Sequence, residues 1–126
     1  MSGGARVLVV DDEPDFRATY ERLLRRQGYH VALAASCAEG IAAVVRERPH
    51  VVISDLRLPD GDGLAVVRAA RELPDPPSVI VVTGQPSDRV RRAALEAGAT
   101  TFFAKPFAAA GLLAAIAESL GGPARC

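Results

Sequence analysis

Asp11-Asp12-Glu13, Asp55, Thr83 and Lys105 each stand where a short apolar run ends. The runs are Val7-Leu8-Val9-Val10, Val51-Val52-Ile53-Ser54, Val79-Ile80-Val81-Val82 and Phe102-Phe103-Ala104. These residue types suit phosphoryl chemistry. A carboxylate can attack a phosphoryl group and hold it as an acyl phosphate. Clustered carboxylates also suit Mg²⁺, which takes octahedral oxygen ligands and usually binds through one or two carboxylates plus water and phosphate. A hydroxyl and an ammonium can contact phosphoryl oxygens, and positioning with charge neutralisation is most of what phosphoryl transfer requires. Among 15 Lys and Arg residues, Lys105 is the only lysine. A compact, flexible ammonium is not interchangeable with a guanidinium at a point contact with phosphate.

The elements that position these residues alternate along the chain. Short β-branched runs separated by helical segments predict a parallel sheet, with strands at Arg6–Val10, His30–Ala34, His50–Ser54, Val79–Thr83 and Thr101–Ala104. Pro14 suits the first turn of a helix that turns Phe16, Tyr20, Leu23 and Leu24 to one side and stops at Gly28. Ser36 with Glu39 forms a capping-box pattern ahead of Ile41, Val44 and Val45, and Pro49 ends that helix. A Pro-, Asp- and Gly-rich loop, Leu58-Pro59-Asp60-Gly61-Asp62-Gly63, precedes a helix from Leu64 to Leu73. Pro86 opens a fourth helix, with Val90, Ala93, Ala94 and Ala97 on one side and Gly98 as its C-terminal cap. The last helix carries Phe107, Leu112, Leu113, Ile116 and Leu120. Helices on both faces give an α/β, doubly wound sheet. In such a sheet ligands bind beyond the carboxyl ends of the strands, where the acids, the hydroxyl and the amine converge.

Composition narrows the classes. A chain of 126 residues with 49% hydrophobic and 24% charged residues predicts one compact domain with a real core. The formal net charge of +0 gives no bulk attraction to nucleic acid or to an anionic membrane. No apolar stretch approaches the roughly 20 residues of a spanning helix, and Met1-Ser2-Gly3-Gly4 is no signal peptide, which predicts a cytoplasmic protein. Cys37 and Cys126 are expected as reduced thiols, with Cys37 in the buried stripe of its helix. His30 and His50 open strands away from the pocket, and Arg89, Arg91 and Arg92 are expected on a solvated helix face. Residues 1–5 are expected to be disordered, 6–120 to form the domain, and 121–126 to be a tail or linker stub.

Taken singly, the motifs have plain readings. Asp11-Asp12 suits a helix N-terminus, Thr83 a strand end, and Lys105 a solvated surface. All four in order, each at a strand end, resemble the receiver domains of bacterial two-component response regulators. The matching elements are Asp11-Asp12-Glu13, Asp55 with the Leu58-to-Gly63 loop, Thr83-Gly84 and Lys105-Pro106-Phe107. The resemblance implies a flavodoxin-like (βα)5 fold with a five-stranded parallel sheet of order 2-1-3-4-5, which sets the first, third, fourth and fifth strands side by side.

It also implies roles. Asp55 is the phosphoacceptor, served by a histidine kinase or phosphotransfer protein. Mg²⁺ is held by Asp12 and Asp55, by Asp11 mostly through water, and by the backbone carbonyl of Arg57. Thr83 and Lys105 contact the phosphoryl group. The surface of the fourth helix, fifth strand and fifth helix then shifts population, and it is a candidate homodimer or partner surface because the last helix is so rich in alanine. Such a domain is a signalling module rather than an enzyme, with no direct contact to nucleic acid. Phe102 stands at the switch position where tyrosine is frequent, without a hydroxyl. Arg57 and Gln85 stand two residues after Asp55 and Thr83, at positions that tune the lifetime of the phosphorylated state. Two alternatives accompany this reading. A flavodoxin-like cofactor-binding protein would have a hydroxyl- and glycine-rich first loop where this chain has acids. An aspartyl-nucleophile phosphatase would have an Asp-x-Asp pattern where Asp11-Asp12-Glu13 stands.

Overall fold

The computed structural model describes residues 4–121. Five parallel strands form one sheet: β1 (Arg6–Val10), β2 (His30–Ala34), β3 (Val51–Asp55), β6 (Ser78–Thr83) and β7 (Thr101–Ala104). Their spatial order is β2-β1-β3-β6-β7, the expected 2-1-3-4-5 arrangement counted over the strands of this sheet. The helices are α1 (Pro14–Arg26), α2 (Cys37–Glu47), α3 (Leu64–Arg71), α4 (Asp88–Ala97) and α5 (Ala109–Ser119).

Alternate residues of each strand serve opposite faces, as the pleat requires. Leu8, Val10, Val52, Val79 and Val81 pack with α2, α3 and α4 through Val44, Val66, Val67, Ala70 and Ala94. Val7, Val9, Val51, Ile53, Ile80 and Val82 pack with α1 and α5 through Tyr20, Leu24, Leu112 and Ile116. Burying one such Val, Leu or Ile side chain contributes about 1.5–3 kcal/mol. The strands β1, β3 and β6 are thereby almost wholly buried, and they carry Asp11, Asp55 and Thr83 at their ends.

Several boundaries differ from expectation for local reasons. The third strand begins at Val51 rather than His50 and runs on to Asp55. Helix α4 begins at Asp88, not at Pro86, because the Ser87 hydroxyl caps it by accepting the Val90 N–H at 3.1 Å. Phe107 lies ahead of α5 and packs its ring against Tyr20 and Phe103. The loop after β3 contains a short antiparallel hairpin, β4 (Arg57–Leu58) with β5 (Gly61–Asp62), where the Pro-, Asp- and Gly-rich run predicts loop alone. Ser36 caps α2 as its sequence predicts, but Glu39 reaches back to the N–H of Ala35 rather than to that of Ser36.

Cys37 is a buried free thiol, and burial followed by the nearby Asp60 and Asp62 charges pushes its pKa up. Cys126, like the rest of the expected tail beyond Gly121, lies outside the described residues, as do residues 1–3. The Ala5 carbonyl accepts the His30 N–H at 2.9 Å. Both histidines are exposed at strand starts, and His50 Nδ1 accepts the Arg6 N–H.

Candidate functional site

Strand register aligns the site. Val10 pairs with Ser54, Asp55 with Val82, and Thr83 with Ala104, so the chain leaves four neighbouring strands at one level. Asp11 (1% exposed), Asp55 (7%) and Thr83 (2%) are buried there, while Asp12 is exposed. One carboxylate oxygen from each of Asp11, Asp12 and Asp55 lies within 4.8 Å of the other two.

Lys105 closes this acid cluster. Its Nζ donates to Asp11 Oδ2 at 2.9 Å and to Asp55 Oδ2 at 3.0 Å, with Glu13 Oε1 at 3.4 Å. Burial works against its charge, but hydrogen bonds and attraction from Asp11 and Asp55 outweigh burial and raise its pKa. For Asp11 the balance reverses. Burial is the largest influence and raises its pKa, despite the Lys105 ammonium and the Glu13 N–H that donates to Oδ1 at 2.9 Å. The protonation of one partner therefore depends on the other.

The remaining predicted residues fall around this cluster. The Arg57 N–H donates to Asp55 Oδ1 at 3.2 Å, and its guanidinium turns away to donate to Gln85 Oε1 at 2.7 Å. Thr83 Oγ1 accepts the Gln85 N–H at 3.1 Å, and the Thr83 carbonyl accepts the Lys105 N–H at 2.7 Å. Phe102 is half-buried against the α2–α3–α4 side of the sheet, whereas Phe103 packs on the other side.

Three supporting residues escaped the sequence reading. Phe16 looked like an ordinary inward residue of α1, yet its ring lies under Lys105 Nζ at 4.1 Å from the centroid. Asp60 accepts the N–H groups of Cys37 and Ala38 at 2.7 and 2.9 Å, which fixes the hairpin turn to the start of α2. Gly63 presses against the backbone of Asp55 and Leu56, and a Cβ there would run into the Asp55 carbonyl oxygen. The Asp-Gly-Asp-Gly run hinted at the last, because glycine inside a motif loop often marks close backbone approach.

The buried carboxylates, the exposed third acid and the lysine between them suit a divalent cation. Three carboxylates held close together, with Lys105 paired to two of them, form the kind of oxygen donor set that an oxygen-seeking cation takes. Comparison with known proteins agrees in family. The response regulator receiver domain model matches residues 7–117, and the chain belongs to that family. It is 40% identical over 111 residues to the transcriptional regulatory protein PrrA of Mycobacterium tuberculosis, covering 88% of this chain and 48% of that protein. The chain thus spans about half the length of the curated relatives it matches.

Among solved structures, it resembles a CheY-like response regulator receiver domain protein from Methanospirillum hungatei, with a TM-score of 0.88 and 32% identity over 93% of this chain and 94% of that one. It also resembles the BeF3-activated N-terminal receiver domain of Klebsiella pneumoniae RstA, with a TM-score of 0.84 and 25% identity over 91% and 97% of the two chains. It is a receiver domain of the two-component response regulator type.

Proposed function

We propose that Asp55 is the phosphoacceptor of this receiver domain and takes its phosphoryl group from a sensor histidine kinase or a phosphotransfer protein. The observation that carries this reading is Lys105 Nζ bridging Asp55 and Asp11 at 3.0 and 2.9 Å in a buried pocket, with Asp12 alongside. An Asp55 carboxylate oxygen attacks phosphorus, the bond from phosphorus to the donor histidine nitrogen breaks, and the imidazole keeps the electron pair. Lys105 stabilises the transferring charge from one side, and the Thr83 hydroxyl, whose oxygen already accepts the Gln85 N–H, has its proton free to donate from another.

Mg²⁺ would be held by Asp11, Asp12, Asp55 and the Arg57 carbonyl, supplying charge neutralisation between carboxylate and phosphoryl oxygens. The added charge of about −1.5 to −2 then draws Thr83 and Lys105, and Phe102 follows as the switch aromatic. The α4–β7–α5 surface is the output face. The exposed Ala108, Ala109, Ala110, Gly111 and Ala114 at α5 support close approach of a second copy or another protein there.

This is a signalling role carried out in the cytoplasm, and the domain turns over no substrate beyond its own phosphoryl group. Among the described residues, no helix is long and apolar enough to cross a membrane. With a net charge of +0, the domain has no bulk attraction to nucleic acid. The family assignment favours this reading over the cofactor-binding and phosphatase alternatives.

The test is intact mass after incubation with acetyl phosphate and Mg²⁺. One added phosphoryl group is expected on the wild type and none on Asp55→Asn. Asp12→Ala should label slowly and require more Mg²⁺. Equal labelling of the Asn variant would overturn the assignment.

A further inference from the structure

Lys105 is held by two kinds of contact that respond differently to the chemistry at the site. Its ion pairs are with carboxylate oxygens of Asp11 and Asp55, two of the three acids that suit a divalent cation. Once those carboxylates are engaged by a metal, or Asp55 becomes an acyl phosphate, the attraction that fixes the ammonium is weakened or redirected. The third acid, Glu13, is 57% exposed and sits at 3.4 Å, where water screens it.

The ring of Phe16 is different. Its centroid lies 4.1 Å from Nζ, within the range of a cation–π contact, and neither metal nor phosphate competes for a ring face. The ring is itself backed by protein. Phe16 sits in the first turns of α1, 6.4 Å centroid to centroid from Tyr20, which is 2% exposed and stacks on Phe107 at 5.9 Å. The ring thus touches a row of aromatic neighbours as well as the ammonium.

Building on the phosphoacceptor reading of Asp55, we propose that Phe16 is a positioning residue for Lys105: its ring holds the ammonium in place when the carboxylates are occupied. Lys105 arrives at the phosphoryl group from a fixed point, so the ring acts on transfer through the lysine and not by touching the reacting atoms. Phe16 offers no oxygen to a cation, so its reach into metal affinity runs only through Lys105.

The experiment replaces Phe16 with 4-fluoro-, 3,5-difluoro- and 3,4,5-trifluorophenylalanine, and separately with Leu and Tyr. Fluorine drains negative charge from the ring face at nearly constant volume, so packing is preserved while the cation contact fades stepwise. Because the chain has one lysine, selective isotope labelling of lysine gives one side-chain signal, and its ε-methylene protons should be shielded by the ring with and without Mg²⁺.

The rate of labelling by acetyl phosphate should fall stepwise along the fluorine series, by about fivefold for the trifluoro ring and for Phe16→Leu. Phe16→Tyr should keep the wild-type rate within about twofold, and Mg²⁺ affinity should stay within about twofold in every variant. Rates that drop for Leu but stay flat across the fluorinated rings would overturn the proposal, since the ring would then act by packing alone. So would a lysine signal that is the same in the wild type and Phe16→Leu. A lysine signal that follows ring fluorination, in a protein that acetyl phosphate leaves unmodified, would uphold the contact and overturn the phosphoacceptor reading instead.

Discussion

The guanidinium of Arg57 donates to the side-chain oxygen of Gln85 at 2.7 Å, tying the loop that follows Asp55 to the loop that follows Thr83. The two residues stand at equivalent offsets from Asp55 and Thr83, and both line the groove formed with Leu56, Leu58, Leu64 and Val90. The family resemblance assigns both positions to the lifetime of the phosphorylated state, with no contact between them implied. In the folded chain they are one unit.

This pairing predicts how the phosphorylated form decays. On the phosphoacceptor reading of Asp55, a closed bridge would hinder the water that must reach the acyl phosphate, so Arg57→Ala and Gln85→Ala should each speed decay by up to about tenfold, equivalent to about 1.4 kcal/mol of barrier. The double variant should decay no faster than the quicker single one, because both changes break the same bond. Decay followed by intact mass in all four proteins checks this. Multiplying effects in the double variant would show that the residues act separately.

Gly63 is predicted to be intolerant of any side chain. Its φ of −58° suits every residue type, so the constraint is steric and not conformational. A methyl group would collide with the Asp55 carbonyl oxygen and crowd the Cα of Leu56. Overpacking of this kind costs about 1–3 kcal/mol. Gly63→Ala should therefore lower the melting temperature by several degrees and also slow labelling of Asp55, whose backbone must yield. A variant with wild-type melting and labelling would show that the loop moves aside freely.

Asp60 supplies a pH-dependent link. The N–H groups of Ala38 and Cys37 donate to its carboxylate and hold its pKa below the usual aspartate range. A depressed folded-state value means that its stabilising contribution is complete above the unfolded value of about 3.9 and disappears as pH falls through the folded value. The amide resonances of Cys37 and Ala38 should accordingly titrate with a midpoint below that of a free aspartate. In Asp60→Ala this titration should vanish, and at neutral pH the first turn of α2 should exchange its amide hydrogens faster. A midpoint at or above the free value would mean that the two hydrogen bonds do not form in solution.

The sheet was legible because its strands are short β-branched runs bounded by Gly, Pro and acids, a pattern that buried parallel strands share with few other elements. The order of the strands came from the family resemblance and not from periodicity. Asp11, Asp12, Asp55, Thr83 and Lys105 were found because each stands at a strand end, and the register brings those ends to one level. What stayed hidden depends on side chains meeting across the chain. The β4–β5 hairpin has strands of two residues, too short for any period to register. Asp60 caps a helix that begins 23 residues earlier. Phe16 obeys the helical spacing of a core residue, and nothing in that spacing reveals that its ring faces a cation.

Phe102 and Phe103 are neighbours on β7, yet one ring belongs to the layer of α2, α3 and α4 and the other to the layer of α1 and α5. The strand that carries them lies at the sheet edge, next to the one ending in Thr83, and runs directly into Lys105. A pull on Lys105 therefore acts on an element with a foot in each half of the molecule. A displacement of Lys105 would thus be felt in both halves of the core at once, through Phe102 on one side of the sheet and Phe103 on the other.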